Sequence, residues 1–559
     1  MKALITLSTF ILLFFEVSGE LEWWRTMSLY QLCPRSFKDS DGNGIGDFKG
    51  IQSKLHYLVE SGFDGFWLTP FYPSPFQDFG YDISNFQEID PLYGTMKDFE
   101  DLLEMAHNMS LKVIIDFVPN HSSDQHEWFQ KSVKKIDPYT DYYIWNEGKF
   151  VNGIRVPPNN WVSVFGGSSW TWNEERQAYF YHQFAKGQPD FDFRNEKVRN
   201  EMKDILIFWI KKGVDGFRMD ALPFIFEDKY LRNEKLTGRT HNPNDFDYTY
   251  HDYTMHLIEN YEMVHEWRNV IDQYNQSNVM MIEAYANISL TMLYYTYGAH
   301  FPFNFGFITS INQYSNANRI KHVIDEWMKY LPLGATSSWV AGNHDQHRLR
   351  TRFGPDIAPI ITMMVQLLPG VAVTYLGDEI CMEDTYLTWE ETQDPQGCNA
   401  GKTDYQKRSR DPVRTPFQWD ASTSAGFSTN PRTWLRVNDN YKTVNLAAQK
   451  AADKSCYKSF LKVTKLRRLP SISKGELKTK LFNNDVFAFS RELKNEISIY
   501  VVINMGNEPV TLNLEVFENI TSKLKLYHLT TNIELPTGSI VNTNSVKVPA
   551  RNAAILFSN

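Results

Sequence analysis

Short apolar runs rich in β-branched and aromatic residues recur along this chain, and amphipathic stretches lie between them. Ser28–Cys33, Phe63–Pro70, Lys112–Pro119, Val214–Ala221, Val279–Tyr285, Ser337–His344 and Val371–Glu379 read as buried strands. Ile51–Gly62, Met96–Met109 and Lys197–Lys212 carry apolar residues at helical spacing. Apolar strands that alternate with helices form βαβ units around a parallel sheet. Repeated about eight times, the alternation predicts a (β/α)8 barrel of the α/β class, and periodicity alone also allows an open doubly wound sheet.

Two segments depart from that rhythm. Ser122–Arg194, after the third strand, is rich in Trp, Asn, Gly and Pro and too long for a plain loop, which predicts a subdomain inserted over the barrel mouth. From Glu476 the chain turns to short alternating strands (Val486–Ser490, Ile497–Ile503, Val510–Val516, Val546–Ile555), the pattern of a separate antiparallel β domain. The expected division is a signal segment over 1–19, a barrel in two parts over 20–121 and 195–475, the insertion over 122–194 and the β domain over 476–559.

Lys2, the apolar run Ala3–Phe15 and the small residues Val17-Ser18-Gly19 have the layout of a secretory signal peptide. The run of about thirteen residues is short for a membrane anchor, which needs about twenty. Asn108, Asn120, Asn275, Asn287 and Asn519 begin glycosylation sequons, of which Asn108, Asn275, Asn287 and Asn519 are the candidate glycan sites. The four cysteines allow three pairings, and Cys381 with Cys398 is the expected local bridge. With 57 basic residues against 66 acidic ones the net charge is −9, and no dense basic run is present, which argues against nucleic acid or an anionic membrane as partner.

Barrel enzymes build their active sites at the C-terminal ends of the strands. Four strands here end in polar clusters: Asp116-Phe-Val-Pro-Asn120-His121, Gly216-Phe-Arg218-Met-Asp220-Ala221, Glu283-Ala-Tyr285 and Asn343-His344-Asp345. A single carboxylate at such a place is usually a cap or an ion-pair partner, whereas four clusters in this order predict one site. Asp220, Glu283 and Asp345 lie 63 and 62 residues apart, and Phe301–Phe307 supplies a sixth strand inside the second gap. Arg218, two residues before Asp220 on its strand, projects to the same side and can hold that carboxylate ionised. Elsewhere, Asp39, Asp41, Asn43, Ile45 and Asp47 place oxygen ligands at alternate positions around Gly44, a spacing that suits Ca²⁺. Gly50 stands where an EF-hand has its bidentate Glu, and a solvated Asp/Asn/Gly turn is the other reading.

The four clusters, in this order, resemble the signature regions of the α-amylase superfamily of glycoside hydrolases. Tyr30–Phe37, Gly80-Tyr81-Asp82-Ile83, Gln188-Pro189-Asp190 and Arg408–Trp419 resemble its α-glucosidase (maltase, sucrase) branch in the secreted insect form. The resemblance runs from about residue 22 to the end. It implies a TIM barrel, a lid subdomain after strand three and a C-terminal antiparallel β-sandwich. It also implies Asp220 as nucleophile, Glu283 as general acid/base and Asp345 as a third carboxylate that binds sugar hydroxyls and keeps Glu283 protonated. Retaining hydrolysis needs one ionised and one protonated carboxyl, and like charges close together separate those roles.

Carried over position by position, His121 and His344 are expected to hydrogen-bond the glucose, Tyr81 to lie under its ring and Asp82 to grip its far hydroxyls. Arg410 with Asp82 is expected to close the pocket, so that the enzyme removes terminal glucose from disaccharides and short oligosaccharides. Ala221 is the residue type that the resemblance associates with α-1,4 linkages. Trp161, Phe165, Trp170 and Trp172 fall in the expected lid. The resemblance further implies structural Ca²⁺ at the Asp39–Asp47 loop, no cofactor for catalysis, and secretion to a place such as saliva or gut lumen; we expect a monomer. Cys33 departs from the tyrosine usual at its place. An isomaltase or transglucosylase shares these residues, and a non-catalytic amino-acid transporter heavy chain shares the fold but typically loses them and carries a membrane anchor.

Overall fold

A computed structural model describes residues 21–518, 520–530 and 536–558; the expected signal peptide over 1–19 and the Asn519 sequon lie outside the described residues. Eight parallel strands form the centre: β1 (Ser28–Leu32), β2 (Gly65–Leu68), β3 (Lys112–Phe117), β4 (Gly216–Met219), β5 (Val279–Ile282), β6 (Phe301–Pro302), β7 (Ser338–Val340) and β8 (Val371–Tyr375). Their order in the sheet is β6-β5-β4-β3-β2-β1-β8-β7, which is chain order around a ring. Between β7 and β6 a side chain completes the contact: Ser338 Oγ donates to Pro302 O at 2.8 Å and accepts from Asn304 N at 3.0 Å. The barrel expectation holds, and the open sheet is excluded.

Alternation along the strands divides the core. Leu29, Trp67, Ile114, Met281, Val340 and Val373 join in one cluster, while their neighbours Tyr30, Phe66, Ile115 and Met280 belong to a second one shared with surrounding helices. Asp116 has the parity of Ile114, and the β3–β4 register sets it opposite Arg218. Both charged groups therefore face the same side as the first cluster, at its C-terminal end. The helix Glu196–Lys212 shows the matching pattern, burying Val198, Met202, Ile205, Leu206, Trp209 and Ile210 along one stripe. Asn195 caps its start and Gly213, at φ 99°, ends it in the left-handed conformation that glycine adopts without strain.

The segment after β3 contains the helix Glu127–Val133, a three-stranded sheet (Trp145–Asn146, Ala178–Tyr181, Trp170–Asn173) and the hairpin Lys149–Val151/Ile154–Val156. An antiparallel bridge between His121 and Asp190 ties its two ends, and Asn120 Nδ2 donates to Asp190 Oδ2 at 3.0 Å. Asn120 is therefore engaged and buried, unlike the exposed Asn108, Asn275 and Asn287. At the C-terminus a six-stranded antiparallel sheet packs one face on a two-stranded sheet and the other on the barrel helix Leu349–Leu367. On its strand Val486–Glu492, Val486 and Ala488 face the small sheet while Phe487 and Phe489 face the barrel. Arg491 and Arg467 reinforce that seam by donating to Leu367 O (2.8 Å) and Gln366 O (2.6 Å), carbonyls that the end of the helix leaves unpaired.

Several boundaries differ from expectation. The run 546–555 splits at Pro549 into Val546–Val548 and Asn552–Ser558, which lie in different sheets because proline cannot donate to a ladder. Ile51–Gly62 is two short helices, Phe48–Gln52 and Leu55–Glu60, and β6 ends at Pro302 rather than running to Phe307. Strands Lys523–Leu529 and Ile540–Asn542 carry polar residues and were not distinguished in the sequence.

The disulfide is a correction. Cys381 pairs with Cys456, not with Cys398. Nearness in sequence was the only argument for Cys398, which stands exposed on the helix Pro395–Arg408, whereas Cys456 opens the helix Cys456–Leu466 beside the turn after β8. Peptide mapping of unreduced protein is expected to recover Cys381 cross-linked to Cys456. Iodoacetamide without denaturant is expected to label Cys398 and spare the buried Cys33; a Cys381–Cys398 peptide would contradict the pairing.

Candidate active site

The strand ends converge on a cavity of about 310 Å³. Tyr81, His121, Asp220, Glu283, His344, Asp345 and Arg410 all line it, so most of the residues singled out in the sequence are brought together. Arg218 lies beneath, fully buried, and its guanidinium serves three acids. Nη1 donates to Asp116 Oδ1 at 3.0 Å and to Asp220 Oδ1, and Nη2 lies 3.7 Å from Glu283 Oε1. Glu283 Oε2 also accepts from the backbone N of Ala221 at 2.9 Å, so Asp220 and Glu283 are neighbours across the cavity floor.

One guanidinium cannot neutralise three carboxylates. Burial, opposed by Arg218 and assisted by each other's charge, pushes Asp116 and Asp220 up to about 7 and raises Glu283 as well. As a set these acids retain a proton near neutral pH. The contacts decide its place: Asp220 accepts directly from Arg218, while Glu283 meets the same cation only at 3.7 Å. Of the two, Glu283 is the better placed to keep a proton, and one ionised and one protonated carboxyl is what retaining hydrolysis uses.

Asp345 is different. Burial works to raise it, but the surrounding charges, the guanidiniums of Arg410, Arg414 and Arg218 among them, outweigh burial and hold its carboxyl well below the usual carboxylate range. Arg410 Nη1 and Arg414 Nη2 both donate to its Oδ1, at 3.1 and 3.0 Å. It remains a fixed negative charge beside Glu283. Burial pushes His121 down to about 4 and His344 to about 3, so both rings are neutral. Tyr81 stacks on His344 with ring centres 5.3 Å apart and planes 4° apart, and its hydroxyl donates to Asp116 Oδ2 at 2.9 Å.

Asp82 is a correction. It is fully buried and does not line the cavity: Oδ1 accepts from Ser74 Oγ (2.9 Å) and Asp78 N (3.1 Å), and Oδ2 from Gln77 N (2.8 Å). Its carboxylate is used up in folding its own loop. That loop presents Asp78, which reaches Arg410 Nη2 at 2.7 Å and lines the cavity in its place. Arg410 also grips Asp394, so the guanidinium spans Asp78, Asp345 and Asp394. Asp78, Asp116, Asp394 and Arg414 were missed as site residues, although Asp116 and Arg414 stand inside motifs already noted. Of the lid aromatics, Phe165 lines the cavity, Trp161 and Trp170 stack in the core of the insertion, and Trp172 lines a wider vestibule of about 880 Å³ outside.

Away from the cavity, Asp39, Asp41 and Asp47 bring carboxylate oxygens within 4.8 Å of one another. Lys38, next in sequence, directs its Nζ to the carbonyls of Gly426 and Phe427 instead. Three hard oxygen donors without that cation fit Ca²⁺ chemistry. Asn43 and Ile45 lie between them; Asn43 Oδ1 accepts from Ile45 N at 2.7 Å.

Comparison with known proteins agrees with the site. Residues 31–475 match the α-amylase catalytic domain. The chain is 53% identical to an alpha-glucosidase of Apis mellifera, covering 95% of this chain and 93% of that one. It is 45% identical to a salivary alpha-glucosidase of Anopheles gambiae, over 88% and 86% respectively. Among solved structures, the alpha-glucosyl transfer enzyme XgtA superposes with a TM-score of 0.85 at 30% identity, covering 97% of this chain and all of that one. Fold, carboxylate cluster and relatives agree, and this chain belongs to the α-amylase family of glycoside hydrolases.

Proposed function

We propose that this enzyme is a retaining, exo-acting α-glucosidase that removes terminal non-reducing α-1,4-linked glucose from maltose, short malto-oligosaccharides and sucrose. The observation that carries this reading is the closed end of the cavity, where Arg410 bridges Asp78, Asp345 and Asp394 beside the Asp220–Glu283 pair. A chain of sugars cannot continue past that ion-pair cluster, so only a terminal residue can reach the carboxylates.

Asp220 attacks the anomeric carbon while Glu283 protonates the leaving oxygen; Glu283, then ionised, takes a proton from the water that hydrolyses the glucosyl ester. Arg218 holds Asp220 ionised and oriented, and the fixed charge of Asp345 keeps the proton on Glu283 in the free enzyme. His121, His344 and Tyr81 line the sugar's place, and Asp78 takes the hydroxyl-binding role expected of Asp82. Retention of this machinery disfavours a transporter-subunit role. No helix among the described residues is long and apolar enough to cross a membrane, and a salivary relative supports export through the signal segment. Ca²⁺ at Asp39, Asp41, Asn43, Ile45 and Asp47 would have a structural role. Isomaltase and transglucosylase activity use the same carboxylates, and product analysis on maltose, sucrose and isomaltose separates them.

Asp220→Asn is expected to lower kcat on maltose by about 10⁴-fold or more, as removal of a nucleophile does, with an unchanged circular dichroism spectrum; near-normal turnover would refute the assignment. Asp116→Asn removes a negative neighbour that favours the protonated form of Glu283 and leaves Arg218 with one fewer acid to serve. Both changes stabilise ionised Glu283. The alkaline limb of the pH–rate profile, where Glu283 loses its proton, is therefore expected to move to lower pH, and a shift upward would contradict the network. Chelation with EDTA is expected to lower the unfolding temperature while Ca²⁺ restores it; an unchanged melting curve would remove Ca²⁺ from the description.

A further inference from the structure

His344 presents Nε2 to the cavity side, 3.3 Å from Asp345 Oδ2. Its other nitrogen, Nδ1, lies 2.7 Å from the side-chain amide of Gln31, a fully buried residue of β1. The amide nitrogen of Gln31 can only donate, so Nδ1 accepts and the proton of a neutral ring lies on Nε2, the nitrogen nearest Asp345. The ring is neutral, because it is buried among three arginines: Arg414, whose Nε donates to the carbonyl of His344 at 2.9 Å, Arg410 and Arg218. A neutral ring protonated on Nε2 has a lone pair on Nδ1, and only the amide N–H of Gln31 satisfies that geometry. The Oε1 of Gln31 is left buried without a partner, the cost of turning the nitrogen toward the ring.

The second cavity histidine shares the amide nitrogen at Nδ1 and differs at Nε2. Asn120 Nδ2 lies 3.2 Å from His121 Nδ1, while His121 Nε2 lies 3.2 Å from the carbonyl of Tyr81 and 3.1 Å from the side-chain amide nitrogen of Gln188. Asn120 Oδ1 is likewise buried without a partner.

We infer that Gln31 is a positioning residue that fixes the Nε2–H tautomer of His344, making this ring a hydrogen-bond donor toward a bound sugar hydroxyl and toward Asp345. With the proton on Nδ1 instead, the Nε2 lone pair would face the Asp345 carboxylate, and the cavity would lose a donor. The inference rests on the glucosidase reading for its kinetic consequence, although the tautomer itself does not depend on it.

Two variants test it. Gln31→Met keeps the volume and removes the donor; kcat/KM on an α-glucoside is expected to fall about tenfold or more, the effect of one lost or misdirected hydrogen bond. Gln31→Glu replaces the donor with a carboxylate, which draws the proton to Nδ1. Its activity relative to wild type is expected to be lowest at high pH and to rise as pH falls, when protonation of the introduced carboxylate or of the ring returns a hydrogen to Nε2. The charged and titratable groups facing this ring (Asp345, Arg218, Arg410, Arg414 and Tyr81) are the same in both variants, so the ratio isolates position 31. Wild-type kcat/KM in both variants, or a pH-independent ratio, overturns the inference. Neutron diffraction of the wild-type crystal is the second measurement, needed where a variant does not fold: hydrogen on Nε2 and none on Nδ1 of His344 supports the inference, and the reverse overturns it. If the wild-type enzyme turned over no α-glucoside, the glucosidase reading would fail while the diffraction result still decided the tautomer.

Discussion

Everything in the catalytic centre turns on the buried guanidinium of Arg218. It is the cation that Asp116, Asp220 and Glu283 share, and it sits where no water can substitute for it. A fully buried carboxylate without a partner would neutralise itself, so a single Arg among three acids sets a limit on how much charge the site can hold. That limit makes the three acids differ in their contacts with the cation. Asp220 takes the direct contact, Glu283 the distant one, and Asp116 absorbs the remaining bond together with the Tyr81 hydroxyl. The β3–β4 register places Asp116 opposite Arg218, so the charge distribution is written into the barrel's hydrogen-bond ladder and does not depend on flexible loops.

A second cationic centre governs the closed end. Arg410 and Arg414 both contact Asp345 Oδ1, and Arg410 continues to Asp78 and Asp394. The two centres meet at Asp345, whose charge raises Glu283 while its own partners keep it ionised. Asp345 thus joins the ion pairs at the closed end of the cavity to the Asp220–Glu283 pair. A change that loosens Arg410 is felt in both.

The barrel was legible in the sequence because strands buried on both faces and amphipathic helices leave separate periodic signals, and because four strand ends carried polar clusters in order. The same logic reached Asp220, Glu283, Asp345, Arg218 and both histidines. It failed at Asp82 because two aspartates four residues apart flank Tyr81, and nothing in their spacing tells which one folds back onto its own loop. Asp82 does so through three contacts to residues 74–78, a choice made by loop geometry. The Cys381–Cys456 bridge, 75 residues apart, was hidden for a related reason: only the packing of the helix Cys456–Leu466 against the turn after β8 brings those sulfurs together. Cys33, the departure from the family pattern, is a free and buried thiol. Burial pushes its thiol up to about 11, and it lies 3.9 Å from the Tyr375 hydroxyl in a packed core.

The Asp39–Asp47 loop is tied to a part of the chain far away in sequence. Asp39 N donates to Phe427 O at 3.0 Å, its carboxylate accepts from Ser428 Oγ, and Asn430 Nδ2 reaches Gly42 O at 3.1 Å. Gly44, at φ 90°, runs so close to the chain that a Cβ would stand 2.3 Å from Arg432 O. No larger residue fits there without moving one backbone or the other. The loop after β1 is thereby locked to residues 427–432, just downstream of the helix Asp411–Arg414 and of Arg410.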